Sequence, residues 1–184
     1  MTAAAPRLFA IDDGLPAGGT TLIQASAGTG KTYALAALTV RYVAERDVPI
    51  SKILLVTFTR AATAELRDRI RKRLVEAADH IAGLIAGAGS GSVDDPLLEV
   101  ISRGTPAELG ERHGRLRRAV RDFDTATIST IHGFCSQVRS SMGVLSPDNI
   151  DAVPADSEGE LISQVCADLL FRQLDEATAD PLGG

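Results

Sequence analysis

No stretch of this chain approaches the roughly 18 to 20 apolar residues that cross a bilayer, and its first residues lack the basic flank and apolar run of a secretory leader. A membrane role is set aside on that ground, and a cytosolic (cytoplasmic) protein is expected. Cysteine is equally scarce. Cys135 and Cys166 stand 31 positions apart, with neither a metal-ligand spacing nor a disulfide framework, so both are expected as small core residues. There is no internal repeat, which removes stacked-repeat architectures. The 184 residues are 45% hydrophobic, as in ordinary globular chains, and can build one core, or one domain plus the beginning of another.

The most informative segment present is ASAGTGKT, residues 25 to 32, which follows the apolar Thr21, Leu22 and Ile23. It reads as a strand running into a glycine-rich turn and then a helix, the context a phosphate-binding loop requires. Gly28 and Gly30 let the backbone curl so that successive N–H groups face an anion. A helix beginning near Gly30 adds the positive end of its dipole. Lys31 is placed to reach the β- and γ-phosphates of a nucleotide, and the Thr32 hydroxyl to ligate the accompanying Mg²⁺. The usual pattern is G-x-x-x-x-G-K-S/T, and here Ala25 stands in its first position. The candidate nucleotide site is therefore Ala25, Ser26, Ala27, Gly28, Thr29, Gly30, Lys31 and Thr32. The helix after it carries Tyr33, Leu35, Leu38, Val40 and Val43, apolar nearly all round, and is expected to bury itself against a sheet.

Periodicity and punctuation give the organisation of the rest. A lead-in over residues 1 to 19 precedes a strand over 20 to 25, the loop, and a helix to about Glu45. After a turn at Asp47 to Pro49, Ile53 to Thr57 form a continuous apolar run of the kind shown by a parallel strand buried on both faces. This is a β-α-β unit. A long helix follows with Leu66, Ile70, Leu74, Ala77, Ile81 and Leu84 at helical spacing, and ends in GAGSGS, residues 87 to 92, a flexible link. Asp95 before Pro96 starts a short helix. Thr105, Pro106 and Glu108 supply a cap, a first-turn proline and a capping-box acid for another. Thr125 to Thr130 read as a third strand, and a short helix runs from Ile131 through Val138. Ser157 and Glu160 cap a last amphipathic helix, with a boundary near residue 145. The fold class expected is α/β, an incomplete parallel sheet with flanking helices over residues 1 to 145. Residues 146 to 184 are expected to begin a helical accessory subdomain.

The net charge of −5 argues against a nucleic-acid partner until its distribution is considered. Arg60, Arg67, Arg69, Arg71, Lys72 and Arg73 outweigh Glu65 and Asp68, and Arg103, Arg112, Arg115, Arg117, Arg118 and Arg121 outweigh Glu108 and Glu111. The acid collects in the tail, from Asp148 to Asp180. Such basic segments are either contact surfaces or solvated helix faces, and charge alone does not choose. Two other segments fall at carboxyl ends of expected strands, where open parallel sheets place ligands. Phe58 leaves one strand between the hydroxyls of Thr57 and Thr59, a stacking ring beside phosphate contacts, or else the strand's last core residue. Thr130, His132 and Phe134 follow the other; His132 is a ligand contact or an ordinary cap or core histidine.

ASAGTGKT, VTFTRAATAELRDRI (56 to 70) and TISTIHGFC (127 to 135), in that order, resemble motifs I, Ia and Ib of the UvrD/Rep-like superfamily 1 DNA helicases, and within them the RecB-type subunits of helicase/exonuclease complexes. The resemblance runs from Leu8 to about Leu174 and is weak over 83 to 124. It implies a RecA-like phosphate-loop fold and an ATP-driven motor that moves on single-stranded DNA and unwinds duplex ends in double-strand-break repair and recombination, beside RecC- and RecD-like subunits. Carried over, Gly28, Gly30, Lys31 and Thr32 bind ATP and Mg²⁺, and Thr57, Phe58, Thr59, Arg60, Thr130 and His132 contact the DNA.

Several family parts are missing. Nothing after residue 138 supplies the apolar strand ending in Asp-Glu. LFAIDD, residues 8 to 13, lies before the loop and is more simply a capped turn. No upstream glutamine matches the adenine-reading one, Gln24 abutting the loop, and the second motor domain with its arginine finger is absent. The chain is accordingly expected to be an N-terminal piece of a larger enzyme, with turnover near background. A nucleotide kinase would need an arginine-rich lid, which is lacking. A non-catalytic nucleotide- or DNA-binding or interaction module stays open beside the motor.

Overall fold

The computed structural model describes residues 8–26, 28, 30–88 and 94–142, together with 162, 166 and 167. The chain divides into two compact units, residues 1–136 and 137–184. The first holds helix α1 (Lys31–Arg46), strand β1 (Leu54–Thr57), helices α2 (Arg60–Ile85), α3 (Pro96–Ile101) and α4 (Pro106–Arg121), and strand β2 (Thr127–Thr130). Helix α5 (Ile131–Ser141) begins directly after β2. In the second unit residues 137–141 are the end of α5, and 162, 166 and 167 are helical. The expected boundary near 145, most of the link at 87–92 and the capped start of the last helix lie outside the described residues. Among the described residues no helix is long and apolar enough to cross a membrane.

Local signals place the helix starts well. Thr59 accepts from the N–H of Ala62 (3.1 Å) to open α2, and Asp95 from that of Leu97 (3.0 Å) to open α3. Thr105 and Glu108 close a reciprocal capping box at α4, and the Thr105 N–H and hydroxyl hold the Glu108 carboxyl below its usual range. Asp47 ends α1 in the left-handed conformation (φ 53°), its N–H returning to the Tyr42 carbonyl.

The core lies among the helices. Val40, Val43, Leu66, Ile70, Leu74, Ile81, Leu97, Ile101, Leu116 and Phe123 are buried there, and the α2 stripe at helical spacing supplies four of them. Helix α1 packs on α2, α3 and α4, so the expected burial against a sheet is replaced by helix-on-helix packing. Arg41, only 4% exposed, anchors the lead-in to α1 by donating to the carbonyls of Ile11 and Asp13 while pairing with Glu45. The Asp13 carboxylate accepts from the N–H of Ala10 (3.0 Å), so LFAIDD is a capped turn.

The sheet departs from expectation in extent. Strands β1 and β2 pair in parallel, Leu54 opposite Thr127 through Thr57 opposite Thr130, with α2 to α4 forming the crossover. Residues 20–25 carry no regular element, and Leu22 is 90% exposed. A strand exists only by pairing, and the sheet holds β1 and β2 alone among the described residues. For the same reason β1 is not buried on both faces: Leu54 and Val56 are 46% and 47% exposed. Cys135 and Cys166 are exposed rather than in the core, and α5 contributes no buried residue.

Candidate functional site

The glycine loop delivers its residues to the start of α1. Gly28 and Gly30 have φ of 77° and 88°, a region that side-chain-bearing residues rarely enter, and a Cβ at either would meet nothing within 4 Å. The backbone angle, not crowding, requires glycine at both positions. Gly30 then serves as N-cap without a side-chain hydrogen bond, and the first turn holds no acid. Helices α2, α3 and α4 are each capped by a side chain; α1 alone of these four presents bare N–H groups and its dipole to whatever lies before it. The Lys31 ammonium donates to the carbonyls of Ala25 (3.0 Å) and Ser26 (2.6 Å), closing the loop on itself and leaving one of its three N–H donors for a phosphate oxygen. Thr32 follows, half-buried, on the first turn. Ala27 and Thr29 lie outside the described residues.

This arrangement fits an anionic ligand of the nucleoside-polyphosphate kind. For Mg²⁺ it supplies the Thr32 hydroxyl, and magnesium commonly takes one or two protein ligands and completes its shell with phosphate and water. Among the described residues no group of three His, Cys, Asp or Glu side chains could hold a metal ion. Beside the loop, a cavity of about 340 Å³ is lined by Leu8, Phe9, Ile23, Gln24, Leu35 and Leu38.

The strand ends form the second cluster. Because Thr57 lies opposite Thr130, the turns into α2 and α5 leave the sheet side by side, and both helix N-termini sit at that edge. The threonines are engaged in building the turns. The hydroxyls of Thr57 and Thr63 lie 2.6 Å apart, both within reach of the Thr59 carbonyl. Thr59 caps α2, and the Thr130 hydroxyl accepts from the N–H of Gly133 (3.0 Å). What projects is Phe58, 88% exposed, with exposed Arg60 and His132. Phe58 is thus not the last core residue of its strand, and His132 is neither a core residue nor the cap. Sequence reasoning missed that two helix N-termini, those of α2 and α5, meet at this edge, a feature whose signal is a helix opening directly after a strand.

The basic segments have other tasks. Arg67 and Arg71 lie over the Phe123 ring at 5.9 and 5.6 Å, and Arg69 pairs with Glu65. Lys72 pairs with Glu76 (3.8 Å), and Arg73 with Asp95 (2.7 Å) and Glu76 (3.0 Å). On α4, Arg112 donates to the carbonyls of Ile101 and Arg103, Arg115 to that of Ala44, and Arg118 and Arg121 meet Asp47 and Asp122. Arg60 and Arg117 have no such partner among the described residues. Most of these bases are therefore engaged within the fold, half of them by bridging separate elements, and Arg60 is the base of the first segment that faces the strand-end edge.

A polar cluster unforeseen from the sequence joins α1, α2 and α3. The Tyr33 hydroxyl donates to the Asp95 carboxylate (3.1 Å), and the Arg73 guanidinium lies over the Tyr33 ring at 5.2 Å. Burial pushes the Asp95 carboxyl up, but the hydrogen bond and charge of Arg73, the Leu97 N–H and the Tyr33 hydroxyl outweigh it and hold the group below its usual value. Burial and the neighbouring Asp95 charge push the Tyr33 phenol up, so the pair is a neutral phenol on an ionised carboxylate. Arg73 falls on the apolar stripe of α2, three positions after Ile70 and seven after Leu66. A base on a buried stripe calls for a partner, and that was the available signal.

Comparison with known proteins matches residues 14–176 to the UvrD/REP helicase N-terminal domain. The RecBCD enzyme subunit RecB of Mycobacterium tuberculosis is 40% identical over 164 residues, covering 89% of this chain and 14% of that protein. The corresponding RecB of Escherichia coli is 36% identical over 166 residues, covering 86% of this chain and 13% of that protein. One subunit of the ATP-dependent helicase/nuclease of Bacillus licheniformis is 31% identical over 157 residues, covering 83% and 10%. The chain therefore spans only about one tenth to one seventh of the length of these relatives. A match over residues 14–176 shows that the chain belongs to the family of the UvrD/REP helicase N-terminal domain.

Proposed function

We propose that this chain is the nucleotide- and DNA-engaging first part of an ATP-dependent DNA helicase, a RecB-like component of a helicase/nuclease that moves along single-stranded DNA and unwinds duplex ends in break repair. The observation that carries the proposal is the parallel register of β1 and β2, which sets Phe58 and Arg60 beside His132 at two helix N-termini. Phosphates of the strand sit on the first-turn N–H groups of α2 and α5 and on Arg60. A base stacks on Phe58, which gives grip without sequence preference. Thr57, Thr59 and Thr130 hold these turns in shape. At the glycine loop, backbone N–H groups and Lys31 hold the β- and γ-phosphates, and Thr32 holds Mg²⁺. ATP supplies a cleavable phosphoanhydride whose hydrolysis drives the motor. RecC- and RecD-like proteins are the proposed assembly partners, by kinship with relatives named as RecBCD subunits.

The described residues offer Lys31 and Thr32 at the phosphates but no arginine finger, a part worth about 10³ to 10⁵ in rate in phosphoryl-transfer enzymes. Weak nucleotide binding and turnover near background are therefore expected of the 184 residues alone. The test is ATP binding and hydrolysis by the purified chain and by Lys31→Ala, with and without single-stranded DNA. Binding lost in the variant supports the loop assignment, and binding retained by Lys31→Ala sinks it. DNA-stimulated turnover would show instead that these residues form a complete site.

A further inference from the structure

We infer that Asp95 is a positioning residue for the phosphate loop, locking the first turn of α1 onto α2 through Tyr33 and Arg73. The inference rests on the nucleotide reading given above and names residues outside the loop that control it. Tyr33 follows Lys31 and Thr32 directly, so whatever holds Tyr33 sets the rotation of the two residues that meet phosphate and metal. On its other side that turn follows Gly30, whose φ is 88°, and no side chain caps it. The Tyr33 hydroxyl is held by Asp95 (3.1 Å) and its ring lies against Arg73. Asp95 receives both Arg73 (2.7 Å) and the N–H of Leu97 (3.0 Å), so three helices converge on one carboxylate.

The location makes the pair effective. The side chains of Arg73 and Asp95 are 14% and 21% exposed, which keeps solvent and salt from screening their attraction as they would at an open surface. Arg73 belongs to the same unbroken 26-residue helix whose first residue is Arg60. Thirteen helical residues span about 20 Å. The cluster thereby fastens the loop end of α1 to the middle of a rigid rod whose N-terminus stands at the strand-end edge, so that phosphate contacts and DNA contacts keep one relative setting.

Two conservative variants of the full chain test this. Tyr33→Phe removes the hydroxyl and keeps the ring on Arg73. Asp95→Asn removes the charge and keeps a residue that caps α3 as well as aspartate does. Hydrogen exchange is read at Ala34 and Leu35, Ala34 being bonded to the Gly30 carbonyl (2.9 Å), against Val40 and Val43 deeper in α1. Mg-ATP affinity is titrated in parallel. Both variants are expected to speed exchange severalfold at Ala34 and Leu35 and not at Val40 and Val43, and to weaken Mg-ATP binding about fivefold, the size of one positioned hydrogen bond. Unchanged exchange at the first turn overturns the inference. So does exchange that rises equally along α1 with nucleotide affinity intact, which is the mark of a merely structural contact. If the unaltered chain binds no Mg-ATP, the nucleotide reading fails, and the exchange measurement still decides whether Asp95 anchors the turn.

Discussion

Replacing Phe58 by alanine separates a contact residue from a core residue, and the structure gives both magnitudes. The ring is 88% exposed. About one eighth of roughly 200 Å² of aromatic side chain is therefore covered, and at about 25 cal/mol/Å² its loss costs about 0.6 kcal/mol. That corresponds to a fall in melting temperature of about 1 to 2 °C. Phe123, 1% exposed beneath Arg67 and Arg71, is the internal control: Phe123→Ala is expected to cost about 3 to 5 kcal/mol and to endanger the fold. If a base stacks on Phe58, Phe58→Ala instead weakens single-stranded DNA binding by about 1 to 3 kcal/mol, or about 5- to 150-fold. Fluorescence anisotropy with a labelled oligonucleotide, beside thermal melts of the same samples, reads both quantities. A Phe58→Ala chain that binds DNA as tightly as the unaltered one refutes the stacking role. One that unfolds as readily as Phe123→Ala refutes the exposure argument on which that role was built.

Two further outcomes follow from the polar interior. Arg41→Met leaves the carbonyls of Ile11 and Asp13 and the Glu45 carboxylate without their common donor; a loss of about 2 to 4 kcal/mol is expected in urea melts, with faster proteolysis near residues 10 to 14, and a loss under about 1 kcal/mol would contradict the anchoring. The Asp95 carboxyl lies below its ordinary value of 3.8 when folded, so its contribution is complete above that value and disappears as pH falls through the lower, folded one. The stability gap between the unaltered chain and Asp95→Asn should accordingly hold steady from about pH 6 to about pH 5 and close as pH falls below the ordinary carboxylate value, whereas a gap independent of pH would show that the charge is not what stabilises.

The parts legible in the sequence are those governed by short-range rules. Hydrogen bonds between neighbours two or three residues apart put Asp95 and Thr105 at helix starts, a positive φ asked for Gly28 and Gly30, and the 3.6-residue period marked Leu66, Ile70, Leu74 and Ile81 as one buried face. The family motifs were legible for the same reason, since each is a turn built from contiguous residues. Whatever depends on a distant neighbour was not. Whether Phe58 is core or contact, whether residues 20–25 count as a strand, and whether Leu54 and Val56 are covered are decided by what lies across the sheet. The packing of α1 on helices, the exposure of Cys135 and the capture of most basic side chains by carbonyls, acids and the Phe123 ring are likewise long-range outcomes. The sequence by itself determined the loop, the caps and the helical stripes. Only the tertiary structure decided which side chains are free to bind, because exposure and pairing are properties of the assembled neighbours and not of the chain's local order.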